Sequence, residues 1–248
     1  AGINVLDGVR VVASEPLQPR TTAVVRHGDT RIALEPSPAD GTHVRSFATS
    51  AILPFGAELS VEFDPAPQDL TGLPSENALT TVRTMDDPGV FAEDGFEGDL
   101  AAVTAGAEVV SGVGTLPAMA GARSLLVEPG DALTMRVPLT SGDTHLRFQV
   151  RMLSGGSGLA GCSTIGIRGG FPGLDPASDV LDIEVSPAEE PREDTGDARW
   201  SVASPVTDVE LALPAGAAGE VILDVYEQPL SGPPCPDMAL LIDELRAE

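Results

Sequence analysis

A chain of 248 residues can bury one large core or two smaller ones, and with 42% apolar residues it is not a disordered tail. A formal charge of −24, from 38 acidic and 14 basic residues, argues against nucleic acid or an anionic membrane surface as partner. The 27 Gly and 22 Pro punctuate short runs of Val, Ile, Leu and Thr, the signature of an all-β protein.

Strand signals begin at once. Val9 to Ala13, Thr22 to Arg26, Thr30 to Leu34, His43 to Thr49, Ala57 to Phe63 and Ala78 to Thr84 alternate or are rich in β-branched residues. The turn clusters EPLQP, HGD, PSPADG, LPFG and DPAPQD separate them, which predicts a β-sandwich over residues 1–85. The acidic, Pro- and Gly-bearing stretch 86–94 reads as a linker. A second domain is predicted over 95–248, with its clearest strand at Asp143 to Met152, DTHLRFQVRM. Leu146, Phe148, Val150 and Met152 share one face of it, and His145, Arg147, Gln149 and Arg151 the other. Further strands are expected at Ser163 to Arg168, Val180 to Val185, Trp200 to Val202, Val209 to Leu213 and Val221 to Tyr226. Met238 to Arg246 could pass for a helix but is too short to be one in isolation. No apolar run approaches the length of a membrane span.

These pieces carry two resemblances. In the order ILPFGAELSVEF, QDLTG and NALTTVRT, residues 30–84 resemble bacterial Ig-like domains, which implies a spacer without chemistry. From about residue 91 the chain resembles jelly-roll modules of the galactose-binding or carbohydrate-binding type. The matching pieces are GFEGDL, AGARSLLVEPGDALTMRVPL and MALLIDELRAE. That resemblance implies a structural calcium held by Glu97 and Asp243, with Asp94 or Asp99 able to add an oxygen. The competing reading leaves these carboxylates solvated or paired with Arg. Glu244 is expected to point away from Asp243, as neighbours on a strand do.

The polar row His145, Arg147, Gln149 and Arg151, with Arg136 from a neighbouring strand, is the candidate ligand face. The Arg fork suits sugar hydroxyls or uronic carboxylates. In so acidic a chain the alternative is pairing with Asp or Glu on adjacent strands. The single Trp200 and single Tyr226 are assigned to core or sheet-edge positions rather than to a sugar platform. Phe171, in a loop, is either a ligand contact or folded onto the core.

Cys162 and Cys235 lie in Gly- and Pro-rich stretches and predict either a disulfide in an oxidising compartment or two buried thiols. Closing so long a loop would stabilise the fold by roughly 4 kcal/mol. The Ser157 stretch misses the nucleophile-elbow spacing, and His27, His43 and His145 have no zinc spacing. The sequence thus predicts two β-sandwiches, Ig-like then jelly roll. They form a secreted or cell-envelope, non-catalytic, monomeric structural or interaction module of a surface protein. A glycan-binding module is the alternative. With no initiating Met or signal peptide, the chain reads as a mature or trimmed product.

Overall fold

A computed structural model describes residues 5–6, 8–12, 16–18, 22–36, 43–49, 51–63, 66–74, 79–89, 96–97, 107–155, 163–171, 180–185, 192–230 and 237–248. Ser157, Cys162, Cys235, Asp94 and Asp99 lie outside the described residues, and with them the proposed disulfide. The chain divides into two compact units, Ala1–Asp87 and Pro88–Glu248. Every regular element described is a strand, and no described helix is long and apolar enough to cross a membrane.

The first unit contains β1 (Val9–Val12), β2 (Ala23–His27), β3 (Thr30–Pro36), β4 (Val44–Thr49), β5 (Glu58–Phe63) and β6 (Leu79–Arg83). Period-two alternation puts Ala23, Val25, Leu34, Phe47, Leu59 and Val61 on one buried face. The hairpin β2–β3 turns through Gly28 at φ 58°. All six strands lie on a single antiparallel path, β1-β4-β3-β2-β5-β6. Among the described residues that path does not separate into the two sheets of an Ig-like sandwich. β3 links the two halves of this path: Thr30 to Leu34 pair with β2, and Leu34 to Pro36 pair with β4. The predicted QDLTG corner is a tight turn, in which the Asp69 carboxylate accepts from Thr71 N and Oγ1 at 2.8 Å and from Leu73 N at 2.9 Å.

The second unit is a sandwich of two sheets. One contains β7 (Ala107–Val110), β10 (Ser124–Val127), β12 (His145–Ser154), β15 (Glu193–Asp194), β16 (Val202–Ala203), β17 (Thr207–Ala212) and β19 (Met238–Ala247). The other has β11 (Ala132–Leu139), β13 (Ser163–Gly170), β14 (Val180–Val185) and β18 (Gly219–Pro229), in the order β11-β18-β13-β14. Their inner rows interlock around Leu133, Met135, Leu146, Phe148, Ile165 and Leu223. Each such side chain contributes roughly 1.5–3 kcal/mol by burial. Phe171 folds into this core at 3% exposure, so its loop position does not make it a ligand contact.

Beyond Val150 the alternation of β12 gives way, and Arg151 to Ser154 are all buried. The reason is a second apolar layer on the outer side of the larger sheet. There Leu126, Leu153, Ala239 and Leu241 pack with Trp200 and with Val113 of the small hairpin β8 (Gly112–Val113) and β9 (Leu116–Pro117). Trp200 is therefore in a core, as its sequence context predicts.

The C-terminal segment is strand β19, paired along both β10 and β12. Its pairing with β12 contains a bulge: Arg147 faces Arg246 and Gln149 faces Asp243, so Glu244 and Leu245 together oppose Phe148. Glu244 takes φ 52°, a left-handed conformation that costs a non-Gly residue about 1 kcal/mol or more.

Candidate functional site

The polar row of β12 lies where alternation predicts, and each member meets an acid. Arg147 Nε donates to Glu210 Oε2 at 2.9 Å, and its Nη1 contacts Glu248. Gln149 Nε2 donates to Asp208 at 3.0 Å, and His145 Nε2 lies 3.5 Å from Glu210. These are directly opposed residues: Arg147 faces Glu210 and Gln149 faces Asp208 across β17. Arg151 is 8% exposed, and its Nη2 reaches Glu193 at 3.3 Å. Arg147, Gln149, Asp208, Glu210, Glu244 and Arg246 line a shallow depression of about 420 Å³ here. Among the described residues no aromatic side chain is presented to it, since the Phe148 side chain is in the core. Arg136 does not join this face. It sits on β11 in the other sheet, where its Nε and Nη2 donate to Glu220 at 3.1 and 2.8 Å.

Glu97 and Asp243, far apart in sequence, converge on one loop. Glu97 Oε1 accepts from the N–H groups of Ala122 at 2.6 Å and Arg123 at 3.0 Å. Asp243 Oδ2 accepts from Ala120 N and Ser124 Oγ, both at 2.8 Å, and its Oδ1 from Glu244 N at 2.8 Å. Gly121, at φ 57°, takes a left-handed conformation that a side chain would strain, and a Cβ there would also displace Glu97 Oε1. Asp243 has no exposed surface, and desolvation pushes its carboxyl pKa up; the neighbouring Glu244 adds to the rise, against three hydrogen bonds that oppose it. A buried carboxylate with acids beside it suits a divalent cation. Among the described residues, however, no three His, Cys, Asp or Glu side chains gather as a metal cluster. Loop carbonyls would have to supply most of a calcium shell. The bulge also corrects one expectation: Ile242 and Leu245 both enter the core, so Asp243 and Glu244 are both left on the outer side of the strand.

The outer face of the four-stranded sheet carries a second polar constellation, absent from the candidates read from sequence. With Met135, Ile167, Leu223 and Val225 turned inward, Thr134, Gly166, Arg168, Asp224, Tyr226 and Gln228 turn outward. Thr134, Asp224 and Arg168 form one cross-strand row. Thr134 Oγ1 donates to Asp224 Oδ1 and Arg168 Nε to Asp224 Oδ2, each at 2.7 Å. The Asp224 carboxylate is thus buried but paired, the arrangement burial requires.

Tyr226 occupies the next row, directly opposite Gly166. A Cβ at Gly166 would lie 2.5 and 2.6 Å from Tyr226 Cζ and Cε2, so glycine is what lets the ring lie across β13. The Arg168 guanidinium stands 5.6 Å from the ring centroid, within cation–π range. The half-buried ring is therefore neither in the core nor at a sheet edge, contrary to its sequence assignment. Gln228 Oε1, 2.9 Å from the same Cβ position, is buried and has no hydrogen-bond partner among the described residues.

No family model matches the chain, and no curated protein does. Among solved structures it is similar to one from a study of the promiscuous specificity of carbohydrate-binding modules of the β-sandwich superfamily. That match has 14% identity, all of both chains covered and a TM-score of 0.34. It is also similar to a family 16 carbohydrate-binding module, at 7% identity, 64% of this chain, 99% of the other and a TM-score of 0.37. A third match is SGBP-B from a xyloglucan utilisation locus of Bacteroides uniformis, at 10% identity, 99% of this chain, 73% of the other and a TM-score of 0.33.

The two polar faces differ in chemistry. At its exposed end the β12 face holds Arg147 in surface ion pairs with Glu210 and Glu248, each worth at most about 1 kcal/mol. The four-stranded face has a ring lying against Gly166, flanked by a buried and fixed charge pair. The signal for it was in the sequence: one charge in each of two otherwise apolar or small-residue runs, Arg168 in STIGIRGG and Asp224 in VILDVY.

Proposed function

We propose that this chain is a non-catalytic carbohydrate-binding module whose second unit holds a glycan on the outer face of the four-stranded sheet. The observation that carries this reading is Tyr226 lying across Gly166 beside the Thr134–Asp224–Arg168 row. The half-buried Tyr226 ring offers an apolar surface, and the partly exposed Arg168, held from below by the buried Asp224, offers a hydrogen-bond donor, the two kinds of contact a pyranose makes. Binding to soluble and insoluble polysaccharides, compared among the wild type, Tyr226→Ala and Arg147→Ala, tests it. Tyr226→Ala should weaken binding by about tenfold or more, as loss of a central aromatic anchor does. Loss in Arg147→Ala alone would move the site to β12. Absence of any glycan binding would leave a surface spacer as the reading.

The same unit is proposed to carry a structural calcium ion on Glu97, Asp243 and loop carbonyls, in a secreted or cell-envelope setting. Calcium at a hundred times its Kd would stabilise the fold by about 2.7 kcal/mol. Chelation should then lower the Tm by roughly 5–10 °C. Asp243→Ala should erase the difference between chelated and calcium-loaded protein. Equal melting of the wild type in both buffers would end the calcium proposal.

A further inference from the structure

We infer that the open edge of β17, in the larger sheet, docks an extended protein segment that alternates basic and apolar residues. β17 pairs with β12 alone, and among the described residues nothing pairs with its other edge. The alternation of an antiparallel ladder fixes which backbone groups lie there. Leu213 N donates to Thr144 O on the β17 side of β12, and Glu248 N donates to His145 O on the opposite side. Leu146, Phe148 and Val150 therefore turn their backbone groups to Leu211, Val209 and Thr207. The N–H and C=O groups of Asp208, Glu210 and Ala212 are left pointing away from the sheet. Such a row of donors and acceptors is what an added strand satisfies.

Side-chain chemistry selects the partner. Asp208, Glu210 and Ala212 are exposed on the outer face, while Val209 and Leu211 turn into the core. A residue of an added strand shares a face with the residue opposite it, so positions beside Asp208 and Glu210 favour Arg or Lys and the alternate positions favour apolar side chains. The acids are not neutralised by their own neighbours. Among the described residues Asp208 meets only the uncharged amide of Gln149. Glu210 and Glu248 share Arg147, and Glu244 and Glu248 share Arg246 at 3.6 and 3.5 Å. Four carboxylates on this face thus meet two guanidinium groups, and His145, when protonated, raises the cations only to three. A second copy is the wrong occupant: β17 against β17 would set these acids against one another in a chain of formal charge −24. Two other edges of this unit serve less well, since β7 has four residues and β11 includes Pro138, which has no N–H.

The test is calorimetric titration of the full chain with an end-blocked heptapeptide of alternating Arg and Val. The control has the same residues in two blocks, Arg first and Val last. The alternating peptide should bind one to one, and the block peptide at least about tenfold more weakly. Added NaCl should weaken the binding, because the acids are exposed. The double variant Asp208→Arg/Glu210→Arg changes only exposed side chains of β17, and it should lose this peptide and take up one that alternates Glu and Val. Ala212→Pro removes a donor from the open edge without touching the bonds to β12, and it should weaken binding by about tenfold. Hydrogen exchange should slow at the amides of Asp208, Glu210 and Ala212 when the alternating peptide is added. Equal affinity for the two arrangements would reduce the effect to diffuse charge attraction and overturn the inference. Absence of binding, binding that survives the charge reversal, or exchange unchanged at those three amides would overturn it as well.

Discussion

Gly166→Ala isolates the packing that presents the Tyr226 ring. The position has no positive φ to strain, so the added methyl acts through space alone. Its Cβ would come within 2.5–2.6 Å of two ring carbons and 2.9 Å of Gln228 Oε1, about 1 Å inside ordinary contact. The sheet backbone is fixed by pairing on both sides of β13, so the ring must give. Overpacking of this kind costs about 1–3 kcal/mol if the ring stays. If it swings out, it forfeits the contact with Arg168, worth about 0.5–1 kcal/mol. Stability should fall by about 1 kcal/mol in a urea titration with unchanged slope. Glycan affinity should fall by more, about tenfold or beyond, because the stacking surface is displaced. A variant that binds like the wild type would refute the claim that the Tyr226 ring is the platform.

Other expectations bear on the remaining features. Arg147→Ala should cost less than about 1 kcal/mol by urea unfolding, since its partners Glu210 and Glu248 are exposed; a loss several times larger would mean that the β12 face is structural. Asp197 accepts from Trp200 N at 2.9 Å and Arg199 N at 2.7 Å, and these bonds hold its carboxyl below the ordinary 3.8. A carboxylate with a depressed folded pKa stabilises the fold above its unfolded value and loses that contribution as pH falls through the folded one. Asp197→Ala should therefore melt below the wild type near neutral pH, and the two curves should converge under acid; a gap that persists at pH 2 would contradict this. Mass analysis without reductant should find Cys162 and Cys235 joined, and alkylation of either in the folded protein would exclude the bond.

Most of the strand pattern could be read from the chain because period-two alternation reports which face is buried. Leu146, Phe148 and Val150 were assignable on that ground, and so were Leu59 and Val61. What alternation does not report is which strands lie side by side. Arg136 was assigned to a strand neighbouring β12, but β11, which carries it, pairs with β18 in the opposite sheet. Thr134, Arg168 and Asp224 come from three strands spread over 90 positions, and only register makes them a row. Tyr226 was placed by composition, where one Tyr says little. Its role depends on the absent side chain at Gly166, and no property of Tyr226 itself reveals that. Glu97 and Asp243 came from resemblance, and both reach the 120–124 loop.

The bulge at Glu244 explains why the last segment could be mistaken for a helix. Its core residues are Met238, Leu240, Ile242 and then Leu245, a step of two that slips once to three. Losing one residue from a strand ordinarily sends everything beyond it to the wrong side. Here the chain has one residue to spare. Deleting Glu244 would let Leu245 come directly after Asp243, restoring plain alternation with Arg246 outside and Ala247 against the core. The C-terminal strand is thus written in two frames joined by a single removable letter, and at that point it can lose a codon while its final residues keep their meaning.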